Sequence, residues 1–243
     1  MTPPVPVTTP VVDKTPSRIA GTFDAIAPRY DLLNHVLSAG LDRRWRDVAV
    51  DALELGDGAR VLDLCTGTAD LAIATVRRVR NSSVLGVDFA GAMLRLGLNK
   101  VRAGGLEQRI RLVRGDAMRI PMPTASCDGA TVAFGIRNVA DPAVALTELA
   151  RVLKPGGRLA ILEFGQPRFP GLRTCYDWYF RYVLPLIGRL VSKHESAYSY
   201  LPASVGTFPP PDKFLQMCET SGFTAARAVP LTFGIVYLYV ARR

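Results

Sequence analysis

The sequence predicts an α/β fold in which a seven-stranded, mostly parallel sheet is wound with helices on both sides. Three observations predict it. From residue 60 onward, apolar runs of strand character alternate with segments of helical period, the pattern of successive βαβ units. The first of these strands passes directly into a glycine-centred turn and a helix in "VLDLCTGTADLAIA" (61–74). The chain then closes on "FTAARAVPLTFGIVYLYVARR" (223–243), which reads as two further strands, the last antiparallel to the rest.

Taken in order, residues 1–16, "MTPPVPVTTPVVDKTP", hold five prolines and predict a disordered tail of polyproline character. They lack the basic start and apolar centre of a secretory signal. Between 17 and 55, apolar residues recur at three and four (Ile19, Phe23, Ile26, Tyr30, Leu33, Leu37, Leu41, Trp45, Val48), which predicts an amphipathic helical cover broken at Pro28 and Gly40. Strands follow at 60–64, 83–87, 109–113, 128–134 and 158–164, with helices at 69–79, 91–103 and 142–153. "KPGG" (154–157) reads as a helix end and tight turn. About 170–206 is a helical, aromatic-rich insertion before the last two strands. Residues 17–243 are expected to form one domain.

The chain has 243 residues, 49% of them hydrophobic, enough for one sizeable core. No apolar run approaches the roughly 18 residues that span a bilayer. Cys65, Cys127, Cys175 and Cys218 are widely spaced, and with only two histidines neither a disulfide framework nor a metal site is indicated. The expected compartment is the reducing cytoplasm. A formal charge of +9 favours an anionic partner without choosing between nucleic acid, acidic lipid and an acidic small molecule. His35 and His194 are isolated and read as packing or surface residues rather than as acid–base catalysts.

The turn after the first strand offers only Gly67, where a dinucleotide pyrophosphate needs several glycines. A ligand without a phosphate at that point, such as S-adenosylmethionine (SAM), needs one close backbone approach and polar groups for its amino-acid end. Asp63 and Thr68 supply those groups. Asp88, at the end of the second strand, lies about 25 positions after Asp63, near the ~20-residue offset of a ribose-binding acid, and Phe89 beside it can pack on adenine. Beyond the third strand, Asp116 can accept from the adenine amino group while the Ala117 N–H donates to a ring nitrogen. Taken singly, each acid also suits a helix cap or turn; three acid-bearing strand ends in series are the specific signal.

The sequence resembles the class I SAM-dependent methyltransferases, whose fold is Rossmann-like, and more closely the ubiquinone/menaquinone biosynthesis C-methyltransferase family. The stretches that carry the resemblance are "FDAIAPRYDLLNHVLSAGLDRRWR" (23–46), "VLDLCTGTADLA" (61–72), "FGIRNVADP" (134–142), "RVLKPGGRLAILEF" (151–164) and "AYSYLPASVGTFP" (197–209). It departs from the family pattern at Asp42, where many members carry histidine, and at Ala133, where many carry serine. The resemblance implies cofactor contacts at Thr68, Asp88, Asp116 and Ala117, and methyl transfer to a ring carbon of a prenylated quinol. A demethylmenaquinol is the preferred substrate and the methoxy-benzoquinol of ubiquinone synthesis the alternative.

Such chemistry needs a phenolate, and phenols titrate near pH 10. Arg137 is therefore read as a fixed cation for that oxygen, with Asn138 holding a quinol oxygen or a water. Tyr30 and Asp31 on the covering helix complete the expected catalytic set. For each of these a helix-cap, ion-pair or core role is the alternative. The insertion "YDWYFRYVLPLIGRLVSK" (176–193) suits a prenyl tail and the anionic inner face of the cytoplasmic membrane, with a homodimer interface or a core helix as alternatives. A dehydrogenase lacks its glycines here. The aromatic motif of a base-methylating enzyme is absent after the fourth strand, so nucleic acid is not expected as a partner. A non-catalytic SAM-binding module leaves "GIRN" unexplained.

Overall fold

A computed structural model of the chain describes residues 15–167, 171, 174 and 204–243. Most of the Pro-rich segment and most of the insertion lie outside the described residues. Two helices come first, α1 (Pro16–Leu37) and α2 (Leu41–Ala52). Then β1 (Arg60–Leu64), α3 (Asp70–Arg78), β2 (Ser83–Asp88), α4 (Gly91–Ala103), β3 (Ile110–Arg114), β4 (Cys127–Ala133), α5 (Pro142–Val152) and β5 (Leu153–Phe164) alternate as expected. A further helix, α6 (Pro211–Thr220), precedes the closing hairpin of β6 (Thr224–Leu231) and β7 (Val236–Arg242).

The seven strands form one sheet in the order β3-β2-β1-β4-β5-β7-β6. Pairings among β1 to β5 are parallel, and β7 is antiparallel to both of its neighbours. The two-residue period of β1 sorts its side chains. Val61 joins Trp45, Ala49, Ala72 and Val76 in a cluster under α2 and α3, while Leu62 and Leu64 join Leu146, Leu149 and Phe214 under α5 and α6. Each fully buried leucine of this kind contributes about 1.5–3 kcal/mol through removal from water. Chain order reverses between β1 and β4, and at such a switch point the crevice opens at the carboxyl ends of the strands.

Three local expectations are corrected. Helix α1 runs unbroken past Pro28, and the chain turns instead at Gly40, whose φ of +79° lies in the left-handed region. "KPGG" is part of β5, where it forms a bulge: Cys127 pairs with Leu153 but Gly129 with Arg158. The Gly156 N–H there donates to the Arg243 carbonyl at 2.9 Å. Helix α6 was not expected; its amphipathic stretch is short and begins at adjacent prolines, yet Phe214 and Cys218 bury one face of it against the sheet.

Candidate active site

At the carboxyl ends of β1, β2, β3 and β4, roofed by α1, lies a cleft open to solvent. Gly67, Asp88, Phe89, Asp116, Ala117, Tyr30 and Asn138 all line it. The Asp88 carboxylate braces one wall. Its Oδ2 accepts from the Gly67 N–H and its Oδ1 from the Ala90 N–H, each at 2.8 Å. Burial raises the Asp88 carboxyl above its ordinary value, against the pull of those backbone donors. Each oxygen keeps a lone pair for an incoming hydroxyl. Phe89 is held by Arg114, whose Nε donates to the Phe89 carbonyl at 3.1 Å and whose guanidinium stands 5.5 Å from the ring centroid. Asp116 Oδ1 accepts from the Met118 N–H at 2.9 Å.

Two backbone kinks shape the floor. Cys65 and Phe134, both non-glycine, have φ of +56°, a conformation that costs about 1–3 kcal/mol and persists where packing over-determines it. They meet at Gly135, where a Cβ would stand 2.3 Å from that of Cys65. Burial pushes the Cys65 thiol well above its ordinary value, so it stays protonated. Tyr30 packs edge-on against Phe23 at 6.0 Å, and burial raises its hydroxyl above the ordinary value despite a hydrogen bond with Asn34.

Beside the cleft, and sharing Tyr30, Cys65, Gly67, Ala133 and Phe134 with it, lies a smaller polar recess. Asp63 and Thr68 line this recess rather than the larger cleft. Asp63 sits under the turn and accepts from Thr66 Oγ1 at 2.6 Å and from Thr131 Oγ1 at 2.8 Å. Burial raises its carboxyl to about 6, and these hydroxyls only partly offset that. Thr68 Oγ1 donates to Asp31 Oδ1 at 2.6 Å.

Two of the expected catalytic side chains stand outside the cleft lining. Arg137 does not line the cleft. Its guanidinium is buried, with Nη1 donating to Glu163 Oε1 at 2.6 Å and to the Phe134 carbonyl at 2.5 Å, and it lies 5.4 Å from the Phe164 ring centroid. Its Nε donates to Ser204 Oγ at 3.3 Å, and neither Ser204 nor Glu163 lines the cleft. Asp31 likewise stays outside the cleft, bonded to Thr68 and to Lys100 Nζ at 2.8 Å. It ties α1 to α4 and to the turn between β1 and α3. The same helix docks through Asp24, whose Oδ1 accepts from the Ala92 N–H at 2.7 Å.

Sequence reasoning missed Glu163 and Arg46. Nothing in a strand reading of "LAILEF" marks the glutamate as a buried ion-pair partner. Ile19 and Phe23 were identified as one apolar stripe of α1, but a stripe signals burial without saying that the covered surface is a cleft. Among the described residues, no group of three His, Cys, Asp or Glu side chains is placed to hold a metal.

The model of the ubiE/COQ5 methyltransferase family matches residues 11–243. The ubiquinone/menaquinone biosynthesis C-methyltransferase UbiE of Syntrophotalea carbinolica is 50% identical over 217 residues, 89% of this chain and 90% of its own length. The demethylmenaquinone methyltransferase of Thermus thermophilus is 47% identical over 222 residues, 91% of this chain and 99% of its own. Among solved structures, a SAM-dependent methyltransferase from Aquifex aeolicus is similar in fold, with a TM-score of 0.56 at 20% identity, covering 94% of this chain and 98% of that one.

Proposed function

The chain belongs to the ubiE/COQ5 methyltransferase family, and from that premise we propose that it methylates a ring carbon of a prenylated quinol, converting a demethylmenaquinol to the menaquinol with SAM as methyl donor. The observation that carries this reading is the family match over nearly the whole chain, together with relatives at close to half identity whose names state the reaction. The shape of the cleft supports the donor. Asp88 offers oxygens at the right strand end for ribose hydroxyls, Phe89 offers an aromatic face, and Asp116 with the Ala117 N–H forms a polar edge suited to adenine. When bound there, SAM supplies an electrophilic methyl group.

The protein's share of the reaction is to hold the quinol as its phenolate, line up the ring carbon with that methyl, and keep water out. Asn138 and Tyr30 are the polar side chains at the end of the cleft formed by the kinked floor, and both are assigned to the quinol oxygens. Arg137 and Asp31 are assigned to positioning: Arg137 holds the 3-10 turn Ile136–Asn138 that presents Asn138, and Asp31 holds α1 over the cleft. The benzoquinol of ubiquinone synthesis is the second reading, favoured by the broader name of the Syntrophotalea relative. No helix among the described residues is long and apolar enough to cross a membrane. Peripheral attachment through 176–193, on the membrane face where a prenylated quinone resides, is part of the proposal, and co-sedimentation with anionic vesicles at low salt tests it.

The deciding experiment follows labelled methyl from SAM to two chemically reduced acceptors, a demethylmenaquinol and the ubiquinone precursor benzoquinol. Label on the naphthoquinol is the expected result. Label only on the benzoquinol moves the enzyme to the other pathway, and label on neither overturns the substrate class.

A further inference from the structure

We infer that Arg46 of α2 is the binding residue for the carboxylate of the methyl donor's amino-acid end, seated in the polar recess beside the main cleft and aimed there by Asp42. The inference deepens the proposed function and rests on it, since it takes the donor's nucleoside to lie along Asp88.

The recess opens from the cleft at Gly67 and Cys65, where the amino-acid end of a nucleoside bound along Asp88 must point. A ligand carboxylate entering it needs a cation or several N–H donors. Among the described side chains that line it, Arg46 is the one cation. The two other candidates are already committed. The Thr68 hydroxyl gives its single proton to Asp31 and accepts from Lys100 Nζ at 3.0 Å. Lys100 does not line the recess, and its three donors face three acceptors, Asp31 Oδ2, Thr68 Oγ1 and Asp70 Oδ1.

Arg46 is built for the task differently. Its Nη1 donates to Asp42 Oδ2 at 2.5 Å and its Nη2 stands 3.4 Å from Asp70 Oδ2, which occupies two of five N–H donors and fixes the plane of the fork. Asp42 is itself pinned, accepting from Ser38 Oγ at 2.9 Å and lying 3.2 Å from His35 Nδ1. Burial alone would raise the Asp42 carboxyl, but the bonds from Arg46, Ser38 and His35 outweigh it and leave it below its ordinary value, so it remains an anion that orients the guanidinium. Around the recess, Asp31, Asp42, Asp63 and Asp70 outnumber Arg46 and Lys100. That balance suits a ligand that carries one carboxylate yet is a net cation through its ammonium and sulfonium.

Isothermal titration with two nucleosides tests the assignment: S-adenosylhomocysteine, which carries the amino-acid end, and 5′-methylthioadenosine, which lacks it. In Arg46→Met the affinity for S-adenosylhomocysteine is expected to fall roughly 10- to 100-fold, the range for a charge-assisted hydrogen-bonded pair, with methylthioadenosine unchanged within about 2-fold. Because Arg46 is buried among acids, Arg46→Lys, which keeps the charge, serves as the second variant; a smaller loss confined to S-adenosylhomocysteine is expected. Equal losses for both nucleosides in either folded variant, or no loss for S-adenosylhomocysteine, overturn the assignment. Failure of wild-type protein to bind either nucleoside overturns the methyl-donor reading itself, and this assignment with it. Wild-type binding of both with equal affinity overturns the assignment alone.

Discussion

Replacing Arg137 by methionine tests whether this residue acts through packing and charge neutralisation or through contact with substrate. In the folded protein the Glu163 side chain is fully buried, and its carboxylate accepts from Arg137 Nη1 at 2.6 Å, from the Phe164 N–H at 2.9 Å and from the Arg137 N–H at 3.3 Å. Methionine keeps most of the volume and leaves the two backbone donors, but it strands a buried carboxylate without its counter-charge. Breaking one partner of such a pair costs about 3–5 kcal/mol, against a typical total stability of about 5–15 kcal/mol. Urea unfolding followed by circular dichroism reads this as a lower midpoint at unchanged slope. The double variant Arg137→Met with Glu163→Gln removes the stranded charge and is expected to regain at least about 2 kcal/mol over the single variant. A single-variant loss below about 1 kcal/mol, or two losses that simply add, refutes the reasoning. In that case the guanidinium is not held by Glu163, and its assignment to the quinol oxygen regains its place.

Two further outcomes follow from the site. Asp63 has a folded-state value near 6, above the ordinary 3.8, so the folded protein binds the proton more tightly than the unfolded chain. Stability therefore falls as pH rises through the window from about 4 to 6, by up to about 3 kcal/mol at 1.36 kcal/mol per unit; Asp63→Asn lacks this slope, and urea midpoints at pH 4.5 and 7 that differ equally in the two proteins refute it. Gly135→Ala places a methyl 2.3 Å from the Cys65 Cβ and 3.0 Å from its Sγ. Overpacking of this kind costs about 1–3 kcal/mol, or roughly 2–12 °C in melting temperature for a domain of this size. Adding Cys65→Gly, which clears the space and suits φ of +56°, should restore most of it, and a melt left unchanged by the second substitution shows that the clash lies elsewhere.

The sequence by itself determined the order of the strands from β1 to β7, the parallel sheet with its antiparallel last strand, and the strand ends that line the cleft. The physical reason is that these are local or periodic properties. Alternation of apolar residues marks a strand, Gly67 and the acids mark turns at strand ends, and a parallel sheet brings those ends together at the switch point. Asp88, Phe89, Asp116, Ala117 and Asn138 are found at the cleft because their place in the chain already put them at its edge.

Only the tertiary structure decided where charge is spent. Arg137 and Glu163 are 26 positions apart, as "GIRN" and "LEF", and neither segment announces the other; parallel pairing of β4 with β5 brings the two together, so the expected cation meets a buried carboxylate. Asp31, Thr68, Asp70 and Lys100 meet because α1 packs on α4 beside the turn that leads into α3, and Arg46 comes to stand 3.4 Å from Asp70 because α2 packs on α3. An ionisable side chain acts according to its partners and its distance from water, and both are set by elements remote in sequence.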